Sequence, residues 1–138
     1  MEVREVLEGM LDILHEKEWI KGHMYKTGER SHDEMLPLLS VDGVCLEGAC
    51  NLVLWQKKTE YEGGGTEYEG GGTEYEGGGW LPIKTLVSEA ILAAAVESCP
   101  EKYQDWMTVM FQFNDFGETT REDVILAVKT AITRLEES

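Results

Sequence analysis

Hydrophobic positions along the chain recur mostly at helical spacing. Val3, Val6, Leu7, Met10, Leu11 and Leu14 fall at i, i+3, i+4, i+7, i+8 and i+11, one face of an amphipathic helix. Glu2 and Glu5 near its start and Lys17 near its end carry the signs that suit the helix macrodipole. The spacing predicts a helix over Val3 to Glu18, with Gly22 as its stop and Trp19 and Ile20 closing that end of the core. His23 to Gly43 has no sustained period. Thr27-Gly28 and Asp42-Gly43 read as turns, and Met35 to Val41, broken by Pro37, reads as an edge strand or an extended cover. Val44 to Gln56 is apolar over most of its length. Leu46, Ala49, Cys50 and Val53 form a stripe that Leu54 and Trp55 widen, so a mostly buried helix is expected. Gly48 inside it costs about 1 kcal/mol relative to Ala, which a close approach by another helix would offset.

Thr59 to Gly79 then repeats one heptapeptide, Thr-Glu-Tyr-Glu-Gly-Gly-Gly, three times. The glycine triplets make helix costly, and a single recurring apolar residue cannot build a coiled-coil seam. The repeat reads as a flexible acidic loop inserted at a tip. Trp80-Leu81-Pro82 resumes the apolar chain. Leu86, Val87, Ala90, Ile91, Ala94 and Ala95 predict a helix that ends near Cys99-Pro100. Pro100 suits the first position of a fourth helix, with Tyr103, Trp106, Met107, Met110 and Phe111 as its stripe. Asn114 to Gly117 reads as a turn. Thr119 and Glu122 form a capping-box pattern that opens a last helix, with Val124, Val128, Ala131 and Leu135 on one face. The expected architecture is all-α: about five helices in one compact domain over residues 1–138, interrupted at 59–79, with at most a minor extended segment after the first helix.

Composition narrows the function classes. Hydrophobic residues make up 42% of the chain, enough for one core. The formal net charge is -15, of which the repeat supplies six acids and no base. An acidic chain without a basic patch is a poor direct binder of nucleic acid, because phosphate contacts need Lys or Arg. Apolar runs such as Ala90 to Val96 are too short to span a bilayer, so no membrane role is expected. The opening Met-Glu-Val-Arg-Glu is not the start of a signal peptide. Together with an odd number of cysteines (Cys45, Cys50 and Cys99), this favours reduced thiols in a cytoplasmic protein.

Candidate chemistry is sparse. Cys45 near a helix N-terminus is placed for thiolate formation, but none of His15, His23 and His32 stands in a Cys/His signature, and a buried core thiol is the favoured reading. Cys45 and Cys50 lie about 140° apart on a helix, and the His23–His32 spacing is not that of a zinc pair, so no metal and no cofactor are expected. The glycine triplets lack the Lys-Ser/Thr of a phosphate loop. Asn114, Asp115, Thr120 and Arg121 cluster at a helix start and could hold an anion or a nucleotide phosphate, with Trp106 or Trp80 stacking. Capping is the more usual work of such residues. Tyr61, Tyr68, Tyr75 and Trp80, with Glu67 and Glu69, are contact chemistry for a basic partner.

Three landmarks carry a resemblance: Trp19-Ile20-Lys21-Gly22, Val44-Cys45-Leu46-Glu47-Gly48-Ala49, and Asn114-Asp115 with Thr120 ahead of the last helix. Their order is similar to that of a family of small helical domains of unknown function from actinobacteria and their phages. Gly117 comes one residue early relative to that pattern, with Glu118 in the family's glycine position. The resemblance implies a bacterial or phage origin and no particular activity. The expected function is a non-enzymatic acidic protein, phage-encoded, that occupies a basic surface of a host protein in the manner of an inhibitor of a defence system. The alternatives are a protein that sequesters a small ligand or nucleotide signal, and a virion or assembly component built as a homo-oligomer.

Overall fold

The computed structural model describes residues 2–33, 41–62, 81–103 and 107–137, without the side chains of 57–62 and of 81. Its elements run α1 (Val3–Glu16), β1 (Glu18–Trp19), β2 (Tyr25–Thr27), β3 (Arg30–His32), β4 (Gly43–Val44), α2 (Leu46–Glu62), α3 (Leu81–Ser98), α4 (Met110–Asp115) and α5 (Arg121–Glu136). The protein is therefore mostly helical, with a small four-stranded sheet of order β1-β4-β2-β3. The helices α1, α2, α3 and α5 bury their apolar stripes against one another, chiefly α3 on α5 and α1 on both α2 and α5. Val6, Leu7, Met10 and Leu14 are fully buried, as their spacing predicts, and so are Leu46, Ala49, Cys50 and Leu54 of α2. In α3 the buried face is Val87, Ile91, Ala94 and Ala95, while Leu86 is 52% exposed. Leu135 of α5, expected on the buried face, is also exposed.

The region without a period is where the sheet forms. β1 leaves α1 after Glu16, two residues before the expected helix end, and pairs in parallel with β4 (Glu18 with Gly43, Trp19 with Val44). β2 and β3 form a hairpin around Gly28-Glu29, with φ of +62° at Gly28. β4 adds antiparallel to β2. Strands this short have no room for a detectable alternation. Asp42-Gly43 is thus not a free turn: Gly43 is a central strand position, where a Cβ would meet Glu18 O at 3.1 Å and Lys26 Cβ at 3.2 Å. Gly22 is not a helix stop either. It is a turn glycine with φ of +87° beyond β1. The expected extended segment at Met35 to Val41 lies outside the described residues except for Val41, which is buried.

Three further boundaries differ from the sequence reading. The fourth helix starts at Met110, not Pro100. The backbone N–H groups of Lys102 and Tyr103 both donate to Cys99 O at 3.1 Å, which closes α3 in a turn, and Tyr103 follows outside any helix. Its ring is 1% exposed and meets Phe113 edge-on at 4.8 Å, so burial of Tyr103 is achieved without a helix there. Asn114-Asp115, expected as a turn, ends α4 instead. The helix α2 runs on through Thr59–Glu62, the opening of the first repeat. Thr-Glu-Tyr-Glu precedes the first glycine triplet, so the helix penalty of glycine does not yet apply there. The cap of α5 sits one residue later than expected: Thr120 accepts from Asp123 N–H at 3.2 Å, while Thr119 is buried.

Gly48 meets the chain just ahead of β2 rather than a helix. A Cβ on it would lie 2.2 Å from the carbonyl oxygen of Met24, the residue before β2. That same oxygen accepts from Cys45 N–H at 3.0 Å, so the sheet is held against the first turn of α2. Gly48→Ala is expected to destabilise the fold by about 2 kcal/mol or more, the range for overpacking against atoms that cannot yield. Gly117→Ala, where a Cβ meets nothing within 4 Å, should be close to neutral. Thermal and urea unfolding of the two variants checks the contrast.

Candidate functional site

The polar residues singled out in the sequence gather around α4 and the start of α5. Asn114 is fully buried. Its Oδ1 accepts from Trp19 Nε1 at 2.6 Å and from Leu46 N–H at 3.0 Å, and its Nδ2 donates to Ile20 O at 3.0 Å and to Asp115 Oδ1 at 2.9 Å. Asp115 Oδ1 also accepts from Gly22 N–H at 3.0 Å. Lys21 Nζ donates to Phe116 O at 2.6 Å. One side chain thus joins α4 to β1 and to the N-terminus of α2. Every donor and acceptor that Asn114 offers is used within the chain.

Arg121 and Thr120 are likewise engaged. Arg121 Nη2 donates to Leu14 O at 2.6 Å, supplying a partner to a carbonyl at the end of α1. Thr120 caps α5. Asp123 completes that cap by accepting from Thr120 N–H, and it also accepts from Lys102 Nζ at 2.6 Å. The Tyr103 hydroxyl lies 2.9 Å from the Asp123 carboxylate and 2.8 Å from Thr119 Oγ1. With one proton, it donates to the carboxylate and accepts from the threonine. Burial pushes the Tyr103 phenol up, and the Asp123 charge adds to that shift. Burial alone would raise Asp123, but the bonds from Lys102, Tyr103 and Thr120 N–H outweigh it and hold the carboxyl below its ordinary range. Trp106, Tyr68, Tyr75, Trp80, Glu67 and Glu69 lie outside the described residues, and Tyr61 is on α2 with its side chain outside them.

Cys45 sits just before α2. Its Sγ accepts from Gly48 N–H at 3.3 Å, and its carbonyl accepts from Ala49 N–H at 2.9 Å. Burial pushes its thiol up to about 11, more than offsetting the backbone donors. Burial likewise pushes Cys50 up to about 12. Both are packed thiols, protonated at neutral pH. Among the described residues no group of three or more His, Cys, Asp or Glu is placed to hold a metal ion. No described helix is long and apolar enough to cross a membrane.

The charged side chains divide by sign. Cations are largely bonded within the chain. Arg4 pairs with Glu8 and Glu136, Lys26 with Glu18, Lys84 with Glu47, Lys102 with Asp123 and Arg134 with Glu97. Lys17, Lys21 and Arg121 donate to main-chain carbonyls. Asp12, Glu16, Glu89, Glu101 and Glu122, by contrast, have no ion-pair partner among the described residues. The surplus negative charge is therefore left facing solvent.

One open groove accompanies this surface. A cavity of about 320 Å³ lies between Lys84, Thr85, Ser88 and Glu89 of α3 and the chain from Thr108 to Phe111, with Glu47 of α2 also in its lining. Val109 is 39% and Phe111 52% exposed, on either side of the buried Met110. The sequence reading missed this groove because Met107, Met110 and Phe111 look like one buried helical stripe. Val109-Met110-Phe111 is apolar throughout, so the sequence carries no signal of which of the three faces solvent.

Comparison with known proteins identifies a family. A family model described as "Family of unknown function (DUF6197)" covers residues 1–134. No curated protein and no solved structure matches.

Asn114→Ala should cost about 3 kcal/mol or more, because it strands the buried Leu46 N–H and Trp19 Nε1–H. Asp115→Ala should cost clearly less, since that side chain is exposed; urea midpoints compare the two. Asp123 titrates lower in the folded chain than in the unfolded one, whose carboxyl lies near pH ~3.9. Its stabilising contribution is therefore complete above that value and is lost as pH falls through the folded pKa. Wild type is expected to lose more stability than Asp123→Asn between neutral pH and about pH 3, measured as urea midpoints across that range.

Proposed function

The chain belongs to this family of unknown function, which brings no activity with it, and on that premise we propose that it is a non-enzymatic acidic binding protein that occupies a basic surface of another protein. The observation that carries this reading is the division of charge by sign. With most described cations already bonded to carboxylates or carbonyls of the chain itself, the carboxylate surplus of its -15 net charge faces solvent. A field of one sign steers a complementary partner and speeds encounter, with an effect that fades in salt. An exposed Phe111 and Val109 beside carboxylates also match the apolar centre and polar rim of ordinary protein interfaces. In the fuller form of the proposal the protein is phage-encoded, works in the cytoplasm of a bacterial host and blocks a nucleic-acid-handling or defence protein. Binding of a nucleotide or other small ligand at Arg121 and Thr120 has less support, because both side chains are already bonded within the chain.

Full-length protein used as bait in a bacterial lysate should retain a basic protein at about 0.1 M salt and release it at about 1 M. Absence of any salt-sensitive partner would overturn the reading.

A further inference from the structure

Within that acidic-binding reading, on which this rests, we propose that the groove between α3 and the chain at Thr108 to Phe111 is the docking site for a basic amphipathic segment of the partner. An apolar side chain of the segment lies on Val109 and Phe111, and a neighbouring Lys or Arg lies against Glu89. The first ground is the placement of the apolar pair. Val109 and Phe111 stand 39% and 52% exposed while Met110 between them is 3% exposed and holds the segment to the core. The pair is held ready. Gln112 Oε1 accepts from the N–H groups of Thr108 at 2.6 Å and Val109 at 3.2 Å, and Asn114 anchors the same short helix two residues on. Little conformational freedom is lost on docking to a surface already fixed in this way.

The second ground is charge. Among the described residues lining the groove, Lys84 is the one cation. It is 15% exposed and bonded to Glu47 at 2.9 Å, so its charge is spent locally. Glu89 is exposed and has no ion-pair partner among the described residues. The rim is therefore net negative, within a molecule of charge -15. An anionic ligand is disfavoured there, and a cationic group flanking an apolar anchor is complementary. The groove's volume, about 320 Å³, sits at the low end for small-ligand sites. It suits one or two anchor side chains of a longer segment better than an enclosed molecule.

The test is titration of isotope-labelled full-length protein with a synthetic amphipathic peptide of lysines and leucines, with a glutamate-for-lysine version as control. Amide shifts are followed by NMR. Shifts centred on Val109, Phe111 and Glu89 are expected with the lysine peptide only. Phe111→Ser should weaken binding about tenfold or more, the scale of a central interface residue. Glu89→Lys should weaken binding and reduce its salt dependence, and Asp12→Lys on α1 should leave the groove shifts in place. All three positions are exposed, and the amide spectrum of each variant alone reports whether it folds. Equal binding of the glutamate peptide, or no binding of the lysine peptide, would overturn the groove assignment. Binding of the lysine peptide elsewhere, unaffected by Phe111→Ser, would overturn the groove while leaving the acidic-binding reading intact. Loss of the salt-sensitive partner in lysate is the separate failure of that broader reading.

Discussion

The buried amide of Asn114 is the contact on which the arrangement of this protein depends. It accepts from the Trp19 indole and from the first N–H of α2, and donates to the carbonyl of Ile20. The first N–H groups of a helix have no partner within it, and water cannot reach this one. Asn114 supplies the partner and, with the same side chain, holds the far end of β1 at Trp19 and Ile20. The segments Trp19–Gly22, Val44–Ala49 and Asn114–Asp115 are far apart in the chain, and they meet at this point. A single buried amide with all its bonds made specifies an arrangement that apolar packing alone would leave loose.

The sheet depends on that meeting. Its strands of two or three residues could not persist as an isolated ribbon. They are held because Met24 O sits over the first turn of α2, accepting from Cys45 N–H, and because Gly48 has no Cβ to keep it away. The same C-terminal end of α1 is also tied by Arg121, whose guanidinium reaches Leu14 O from α5. Polar side chains thus do joining work in the interior, and that is why they are not free to form a ligand site. Cations are drawn into the same work. The carboxylates they leave unpaired set the character of the surface, and the groove at Val109 and Phe111 adds an apolar patch to it.

Much of the helical framework was legible. The faces of α1 and α2 read correctly because a 3.6-residue period over three or more turns is a strong signal. The fourth helix read wrongly for a related reason. Tyr103, Met107 and Met110 are all buried, and burial at roughly helical spacing imitates a helix even where the described chain is turn or irregular. Asn114, Asp115, Thr120 and Arg121 were visible as a polar cluster beside a helix start. Their partners Trp19, Leu46, Gly22 and Leu14 were not, because nothing local to a side chain says which distant backbone group it will meet.

Composition and periodicity by themselves determined a mostly helical chain with one apolar core and a strong negative charge. These follow from local spacing and from counts, which need no knowledge of what lies across the fold. The tertiary structure alone decided that the Met24 carbonyl just ahead of β2, rather than a helix, approaches Gly48, that Asn114 is a buried junction, and that Phe111 faces solvent beside Glu89. Each of these is a contact, or a missing contact, between segments tens of residues apart. Hydrogen-bond geometry and excluded volume settle such contacts only once the chain has closed on itself.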